Sequence, residues 1–324
     1  MGCFPYRLLR KEGQRGSMPR IKVIVNPLAG KGYAGKISPL IRKQFAALGA
    51  DFDLVHTTAP GEAIDLASQA VQDGFEIAVA VGGDGTSHEV MNGLMKQARG
   101  GIAGTLGCIP AGSGNDFAVM NGAPADVEAA CKLIVQGATR LIDVGLLNID
   151  GQITRYFDNV AGIGFDALVT MECRKAKYLR GLALYLPVVL KTIFLSMHPS
   201  RTEIIHDGET QRKTTLMICV ANGPREGGGF FVAPHARCDD GHFDLLIAEK
   251  MPKLGMLAMV PRFMKGTHLS HRLVEVKHSQ HVVIRSEDPL YVHVDGEILC
   301  DEAHYIEAQL IPSALRIIAP RNGI

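Results

Sequence analysis

The segment Gly82-Gly83-Asp84-Gly85-Thr86 has the residue types of a phosphate-binding turn. It follows residues 77–81, an apolar run whose length and small side chains predict a buried parallel strand. Glycines let the backbone turn sharply and approach a ligand closely, and the N–H groups at the start of a helix can bind phosphate. The carboxylate of Asp84 would repel phosphate unless a cation lies between the two. The spacing therefore predicts a site for a nucleotide with its metal ion.

The residues after this turn predict a helix. Thr86 is a favourable N-cap, and Glu89 follows three residues later, which is the spacing of a capping box. Apolar residues then recur over residues 90–95 with the spacing of one buried helix face. A strand, a glycine turn and an exposed helix N-terminus together make the expected phosphate cradle.

A second polar loop follows the strand predicted at residues 105–109. It contains Gly112-Ser113-Gly114-Asn115-Asp116 and by itself could be an ordinary turn. Because adjacent parallel strands end at the same edge of a sheet, we expect Asp116 to lie beside Asp84. Asp143, at the end of a later predicted strand, could join them. Three carboxylates at one edge predict a hard cation such as Mg²⁺.

The first predicted strand ends in Asn26-Pro27-Leu28-Ala29-Gly30-Lys31-Gly32, a turn whose lysine suits a triphosphate. Residues 30–35 also match the G-x-G-x-x-G dinucleotide fingerprint, with Asp51 or Asp53 about 20 residues further on. The glycines begin five residues beyond the strand, however, so the tight strand-to-helix turn of that fingerprint is missing. A nicotinamide-dependent oxidoreductase is therefore the weaker interpretation.

Strand and helix patterns alternate between residues 21 and 143, which predicts repeated βα units and a parallel sheet covered by helices. We expect an α/β nucleotide-binding domain over residues 18–145, with a doubly wound parallel sheet. Short β-rich segments separated by turn residues predict a largely antiparallel β domain over residues 146–310. Residues 311–324 could return to the first domain. Active sites often lie between two such lobes.

Composition excludes several classes of protein. The 324 residues carry a net charge of +1, which argues against a dedicated nucleic-acid binder. Seven cysteines without a Cys-x-x-Cys pair indicate reduced thiols rather than a disulfide framework or a zinc site. Residues 1–20 lack the apolar centre of a secretory signal, so we expect a cytoplasmic protein.

Two apolar segments suggest contact with a membrane surface. Residues 182–197 contain Pro187 and Lys191, and this apolar stretch is too short to predict a transmembrane helix. Basic residues flank this segment and the second one, at residues 251–264, as is typical of helices that lie on an anionic membrane. Helices packed inside the second domain are the favoured interpretation of both segments, above all of residues 251–264.

Several motifs occur together in an order typical of one family. They are Asn26-Pro27, Gly30-Lys31, Gly82-Gly83-Asp84-Gly85-Thr86 with Glu89, Gly112-Ser113-Gly114-Asn115-Asp116-Phe117-Ala118, Asn159 with Gly162-Ile163-Gly164-Phe165-Asp166, Asp239-Asp240-Gly241, and Val294-Asp295-Gly296-Glu297. Over roughly residues 20–320 the chain resembles the soluble diacylglycerol kinase-like lipid kinases. The Gly-Gly-Asp-Gly-Thr element alone is shared with NAD kinases, sphingosine kinases and, nearly, phosphofructokinases, so the combination selects the family. The first domain is accordingly expected to be of the NAD kinase and phosphofructokinase kind.

The resemblance implies ATP-dependent phosphorylation of a lipid hydroxyl, such as that of diacylglycerol. The lipid substrate depends mainly on this resemblance. The residues that it assigns to ATP are Asn26, Thr57, Gly82, Gly83, Asp84, Gly85, Thr86, Ser87, His88, Ser113 and Asn115. Two of them depart from the family pattern, since Ser113 stands where Thr is more frequent and His88 replaces the usual residue before Glu89.

The resemblance also implies two magnesium ions. The catalytic ion would be organised by Asp84, Asp116 and Asp143. A second, structural ion would be held by the side chain of Asp240 with the carbonyl groups of Arg237 and His242.

The general base would come from Asp295-Gly296-Glu297, and we favour Glu297 over Asp295. Without the resemblance, Asp295-Gly296 would predict only a hairpin turn.

Other functions remain open at this level. An NAD kinase or a sphingoid-base kinase could use the same nucleotide-binding design, and a catalytically silent module could sense nucleotide or lipid. Acyl chains leave no short motif, so the sequence does not select the lipid. The family also makes a homodimer possible.

Overall fold

The chain folds into two compact units. The computed structural model describes residues 7–8, 18–98, 100–175, 182–196, 198–227 and 229–320. Unit 1 consists of residues 1–142 together with 313–324, and unit 2 consists of residues 143–312.

Unit 1 is a parallel sheet whose strands alternate with helices. Its parallel strands are β2 (Arg20–Val25), β3 (Asp51–His56), β4 (Ile77–Gly82) and β5 (Thr105–Pro110), whereas β1 (Arg7–Leu8) pairs antiparallel with the strand at Ala138–Ile149. Its helices are α1 (Ala29–Ala47), α2 (Glu62–Gln72), α3 (Asp84–Met95), α4 (Asp116–Met120) and α5 (Val127–Gln136). The strand order β5-β4-β2-β3 is parallel throughout, and β4 is buried along its whole length, as its apolar run predicts.

Parallel order brings the loops after β2, β4 and β5 to one edge of this sheet. The N–H of Asn26 donates to the carbonyl of Val81 at 3.0 Å, and the N–H of Ala111 donates to the carbonyl of Gly82 at 2.7 Å. The three loops that carry the predicted nucleotide motifs therefore lie side by side.

Unit 2 is β-rich and antiparallel. Strand β6 (Ala138–Ile149) begins in unit 1 and enters unit 2, where β7 (Ile153–Phe157), β8 (Val160–Gly164), β9 (Ser200–His206), β10 (Glu209–Ala221), β11 (Arg225–Glu226), β12 (Phe230–Phe231), β13 (Phe243–Glu249), β14 (Val274–Ser279) and β15 (His281–Val294) follow. Its main sheet has the order β14-β13-β10-β8-β15, and every pairing in it is antiparallel. The mixed α/β fold with a β-rich C-terminal part is thus confirmed.

The last strand, β16 (Glu297–Ala319), has residues in both units. Its first part pairs antiparallel with β15 in unit 2. Its end pairs parallel with β5, where Arg316 lies opposite Thr105, and so adds a strand to the sheet of unit 1.

Three helices, α6 (Phe165–Lys175), α7 (Leu182–Leu195) and α8 (Lys253–Lys265), complete unit 2. Strand β10 is buried on both faces over residues 215–221: Ile218 and Val220 belong to one apolar core, while Cys219 belongs to a second that includes residues of α7 and α8. Residues 176–181 lie outside the described residues. Among the described helices, none combines the length and the apolar character that crossing a bilayer requires.

The structure corrects three local predictions. Asp143 lies inside β6 rather than at the end of a strand. Helix α3 begins at Asp84 with Gly83 as its N-cap and no side-chain cap, so Thr86 lies inside the helix and no capping box forms. The carboxylate of Glu89 instead accepts from the N–H groups of Gly61 and Ala63 at the start of α2, at 3.0 and 3.3 Å.

Candidate active site

At Gly82, which ends β4, and at Gly112, in the loop after β5, no larger residue could be placed without movement of its neighbours. A Cβ on Gly82 would lie 2.2 Å from Oγ1 of Thr86. A Cβ on Gly112 would lie 2.2 Å from Cα of Gly83, so the backbones of the two polar loops touch. Glycine is required at this contact because any side chain would separate the loops.

Asp84 and Asp116 lie in these touching loops. The N–H of Phe117, the residue after Asp116, donates to Oδ1 of Asp84 at 3.0 Å. Asn115 has φ of +63°, and its side-chain oxygen accepts from the N–H of Gly112 at 2.9 Å, which closes the second loop on itself. The expectation that adjacent strand ends bring the two motifs together agrees with this contact.

The loop after β2 contacts the same turn. Nδ2 of Asn26 donates to Oγ1 of Thr86 at 3.3 Å, and Oδ1 of Asn26 accepts from the N–H of Leu28 at 3.1 Å. Residues 30–32 all have positive φ, between 58° and 87°, at the start of α1. A Cβ on Gly30 would lie 2.3 Å from the carbonyl oxygen of Ala111, so this glycine allows the close approach of the loop after β5.

The remaining residues assigned to ATP differ in exposure. Gly85 and Ser113 are exposed, whereas Thr57 is buried and its N–H donates to the carbonyl of Val25 at 2.8 Å. Ser87 is buried with its hydroxyl 3.7 Å from Sγ of Cys108. The imidazole of His88 is also buried, with Nε2 3.2 Å from Nδ2 of Asn92. The His88 side chain therefore lies in the interior of unit 1 rather than on an open surface.

A glycine cradle with a carboxylate in it fits a metal–nucleotide complex. Phosphate can approach a backbone that has no Cβ, and a divalent cation prefers the carboxylate oxygens that Asp84 and Asp116 supply. The interlocking of the loops at Gly83 and Gly112 would hold these groups in fixed positions.

In unit 2, Asp143 lies beside the Asp239-Asp240-Gly241 loop. Oδ2 of Asp143 accepts from the N–H of Gly241 at 2.8 Å, and the carboxylate is almost fully buried. Burial raises the pKa of Asp240, and the nearby carboxylates of Asp143 and Asp239 raise it further, although His242 opposes them. A divalent cation would relieve this crowding of negative charge, so these residues fit the second predicted ion. The guanidinium of Arg237 contacts Asp239 at 3.1 Å.

The Asp295-Gly296 pair forms a two-residue hairpin turn between β15 and β16. Both residues have positive φ, +47° and +79°, and Val294 pairs with Glu297 across the turn. The carboxylate of Asp295 accepts from three backbone N–H groups, those of residues 158, 159 and 160, at 2.9 to 3.1 Å. The side chain of Glu297 is 38% exposed, and its Oε1 lies 3.8 Å from Nη2 of Arg155. Asp295 thus joins the turn to the backbone of residues 158–160, while the side chain of Glu297 is partly exposed.

Helices α6, α7 and α8 enclose an apolar cavity of about 90 Å³ in unit 2. Its lining includes Phe165, Val169, Val189, Ile193, Met256 and Met259. Two acidic side chains, Asp166 and Glu226, also line it, and both are buried next to His293. Sequence reasoning missed this cluster, because its members are 60 or more residues apart and only Asp166 belongs to a quoted motif.

Comparison with known proteins identifies the family. Residues 20–147 match the family described as "Diacylglycerol kinase catalytic domain", and residues 159–319 match the one described as "YegS C-terminal NAD kinase beta sandwich-like domain". The chain is 30% identical over 313 residues to a diacylglycerol kinase of Mycobacterium tuberculosis, covering 96% of this chain and 98% of that one. The chain belongs to the diacylglycerol kinase family of lipid kinases. As a member it is a phosphotransferase that acts on a lipid alcohol.

Two further likenesses extend over most of the chain. A diacylglycerol kinase of Bacillus subtilis is 31% identical to this lipid kinase over 290 residues, which is 86% of this chain and 90% of that one. A solved structure described as a diacylglycerol kinase from Bacillus anthracis superposes with a TM-score of 0.72 at 22% identity, covering 95% of this chain and 98% of that one. At that identity the second likeness concerns the fold alone.

Proposed function

We propose that this lipid kinase transfers the γ-phosphoryl group of ATP, with Mg²⁺, to the hydroxyl of a lipid such as diacylglycerol. The observation that carries the proposal is the contact between the Gly83 and Gly112 loops, with Asp84 bonded to the N–H of Phe117. Phosphoryl transfer needs positioning, charge neutralisation and a base rather than a covalent nucleophile. In keeping with this site, we propose that the sheet of unit 1 is doubly wound, as in NAD kinase and phosphofructokinase.

The residues proposed to bind ATP all lie in unit 1. The loops after β2, β4 and β5 would hold the nucleotide, and the residues that we propose for it are Asn26, Thr57, Gly82, Gly83, Asp84, Gly85, Thr86, Ser87, His88, Ser113 and Asn115. For His88, whose side chain is buried, the contribution would be to the packing of α3 rather than a side-chain contact.

We assign two cation sites to the carboxylates. Asp84 and Asp116 would serve the catalytic Mg²⁺, and Asp240, with Asp143 beside it, would hold a structural Mg²⁺ together with the carbonyl groups of Arg237 and His242. The bound ion would neutralise charge that develops on the phosphoryl oxygens.

Glu297 is the proposed general base. It has an accessible carboxylate, whereas the oxygens of Asp295 are already used by three backbone N–H groups. A base must reach the proton of the acceptor hydroxyl, and a partly exposed side chain such as that of Glu297 can be approached by the acceptor. Asp295 would then act by shaping the turn that presents Glu297.

The apolar cavity of unit 2 supports a lipid acceptor. Nearly all of its lining is apolar, so a hydrocarbon chain could be transferred into it from water with a favourable free energy. The names of the similar bacterial proteins favour diacylglycerol as the acceptor.

The outer faces of α7 and α8 support peripheral contact with a membrane. Among the side chains that the structure describes on these two helices, the exposed large apolar ones are Leu186, Phe194, Leu195, Leu254 and Leu257. Nζ of Lys253 donates to the carbonyl of Phe194 at 2.7 Å, so the exposed groups lie together. Exposed basic residues on α8, Arg262 and Lys265, would favour an anionic surface.

The proposed function is tested by incubating the protein with ATP, Mg²⁺ and a total lipid extract and identifying the phosphorylated product by mass spectrometry. We expect a phosphorylated lipid, and we expect Asp84→Ala and Asp116→Ala to abolish its formation while leaving a folded protein. Phosphorylation of NAD or a sphingoid base instead would change the substrate assigned to the enzyme. ATP binding without any product would indicate a sensing module, and a fully active Asp84→Ala variant would contradict the metal role.

A further inference from the structure

Three buried polar side chains of unit 2 meet at the wall of the apolar cavity. Nε2 of His293 lies 3.1 Å from Oδ2 of Asp166 and 3.1 Å from Oε1 of Glu226. The side chains of Asp166 and Glu226 are less than 10% exposed, and that of His293 is fully buried. A Cβ on Gly162 would lie 2.2 Å from Nε2 of His293, so this glycine makes room for the cluster.

The other ring nitrogen of His293 faces the turn that carries Glu297. The N–H of Gly296 donates to Nδ1 of His293 at 3.3 Å. A ring nitrogen that accepts a hydrogen bond carries no proton, so the proton of the neutral imidazole is on Nε2, which faces the two acids.

This tautomer favours a shared proton over a metal ion in the cluster. The three side chains are close enough to hold a cation. A ligand to a metal must, however, offer a lone pair, and the usual metal-bound histidine donates its other N–H instead of accepting. With Gly296 donating to Nδ1, Nε2 of His293 has no lone pair to offer.

Burial and charge determine which groups of the cluster are ionised. Two ionised carboxylates around a single N–H would repel each other strongly in a buried site. Burial alone would raise the pKa of Asp166, but its interaction with His293 and the hydrogen bonds from His293, Glu226 and Cys219 hold it below its usual value. Burial and the two acids raise the pKa of Cys219, which stays a neutral thiol. Asp166 is thus the ionised acid that faces Nε2 of His293.

We propose that His293 is a positioning residue for phosphoryl transfer, joining the catalytic turn to the acidic wall of the lipid cavity. The proposal rests on the role of Glu297 as base. Asp166 orients the ring by accepting from Nε2, with Glu226 packed beside it, and Nδ1 then accepts from the N–H of Gly296, next to Glu297 in the chain. A base that is displaced by about 1 Å can lose about 10²-fold in rate.

Two substitutions at His293 separate its contacts. In His293→Asn, the amide oxygen of Asn can replace Nδ1 as a hydrogen-bond acceptor. In His293→Gln, the amide N–H of Gln can replace Nε2 as a hydrogen-bond donor. We expect His293→Gln to lower kcat by about 10²-fold with little change in KM for ATP, as expected for a misplaced base. His293→Asn should retain clearly more kcat, because Gly296 keeps its acceptor.

A matched control is available in the same unit. His268 is a second fully buried histidine, with Nε2 2.9 Å from the carbonyl oxygen of Val232 and no contact to the catalytic turn among its described hydrogen bonds. His268→Gln should lower the melting temperature without a comparable fall in kcat. The ¹⁵N resonances of the His293 ring in the wild-type protein give a readout independent of activity, and they should show an unprotonated Nδ1.

The outcomes distinguish this inference from the proposed function. If Glu297→Gln is inactive while His293→Gln keeps the wild-type kcat, the positioning role is overturned and the base survives. Equal losses in His293→Asn and His293→Gln, or a protonated Nδ1, would also overturn it. Full activity of Glu297→Gln would contradict both the role of Glu297 as base and the positioning role of His293. A low kcat in His293→Gln with partial rescue in His293→Asn supports the positioning role.

Discussion

At the scale of single residues, two carboxylates only two positions apart in one hairpin, Asp295 and Glu297, have different surroundings. Asp295 accepts from three backbone N–H groups, which satisfies its oxygens and fixes the start of β8 against the hairpin. Glu297, on the other strand of the same hairpin, is partly exposed. We therefore expect Glu297 to act in catalysis and Asp295 to stabilise the turn.

We expect Glu297→Gln to bind ATP and to fold normally but to lose turnover. Asp295→Asn should instead destabilise the protein by about 1–3 kcal/mol, because an amide offers one acceptor oxygen where the carboxylate used both. Urea denaturation and single-turnover kinetics of the two variants would separate these effects. Loss of turnover in Asp295→Asn alone, with stability unchanged, would show that the base has been assigned to the wrong residue.

At the scale of elements, the nucleotide site depends on two strand-to-helix connections that touch through glycine. The contact between Gly83 and Gly112 leaves no room for a side chain. Gly85, two residues after Gly83 and exposed, has no neighbouring atom within 4 Å of where its Cβ would be. The two positions offer a matched pair of glycine substitutions.

Gly112→Ala should force the loops apart and cost about 1–3 kcal/mol in stability, as overpacking does. Gly85→Ala should leave the melting temperature unchanged or slightly raised, because alanine is the better helix former. If phosphate passes over Gly85, the same variant should bind ATP more weakly in calorimetry. Unchanged ATP affinity in Gly85→Ala would place the nucleotide elsewhere on unit 1.

The acidic cluster near β13 predicts a pH-dependent response to magnesium. Burial and neighbouring carboxylates raise the pKa values of Asp240 and Asp244, even though histidines oppose this rise. The folded state therefore binds more protons than the unfolded state, so stability falls as pH rises from the usual aspartate pKa of about 4 through the raised values.

Mg²⁺ binds only the deprotonated carboxylates, so its stabilising effect should grow as pH rises through this range and then level off. Thermal denaturation with and without Mg²⁺, at pH 5 and pH 7.5 for example, measures the difference. Asp240→Asn should remove most of the magnesium-dependent shift. An equal shift at both pH values in the wild type would argue against a cation at this cluster.

At the scale of the whole molecule, an enzyme whose acceptor is a lipid has to meet a membrane or another lipid phase. Among the described residues, Leu195 and Leu254 are exposed by 74% and 76%, near the junction of α7 and α8. The same helices line the cavity on their inner faces with Val189 and Met256. The core of unit 2 requires apolar side chains only on the inner faces of these helices, so the exposed apolar side chains on the outer faces are not explained by packing.

Replacing both Leu195 and Leu254 with Ser should weaken sedimentation with vesicles that contain anionic phospholipid, and should leave the melting temperature nearly unchanged because both side chains are exposed. Each exposed leucine that enters the interface contributes up to about 1.5–3 kcal/mol when fully buried. Ile102→Ser, at an exposed apolar position of unit 1, is the matched control. Vesicle binding that is identical in all three proteins would rule out this face.

Much of the architecture could be predicted from local patterns. The apolar run before Gly82 and the alternation of strands and helices are properties of adjacent residues, and they predict the parallel sheet and the helices over it. The same reasoning failed for Thr86 and Glu89, since a glycine cap and a contact with α2 replaced the capping box. It also placed Asp143 at the end of a strand, because strand length is set by pairing partners that are distant in the chain.

By itself, the sequence determined the family, the glycine turns and the candidate carboxylates, because these depend on residue type and short spacing. Only the tertiary structure decided that Asp295 is held by backbone N–H groups while Glu297 remains accessible. It alone brought Asp166, Glu226 and His293 together at an apolar cavity. The physical reason is that hydrogen bonds and burial depend on distances in space between residues that the chain separates by tens of positions.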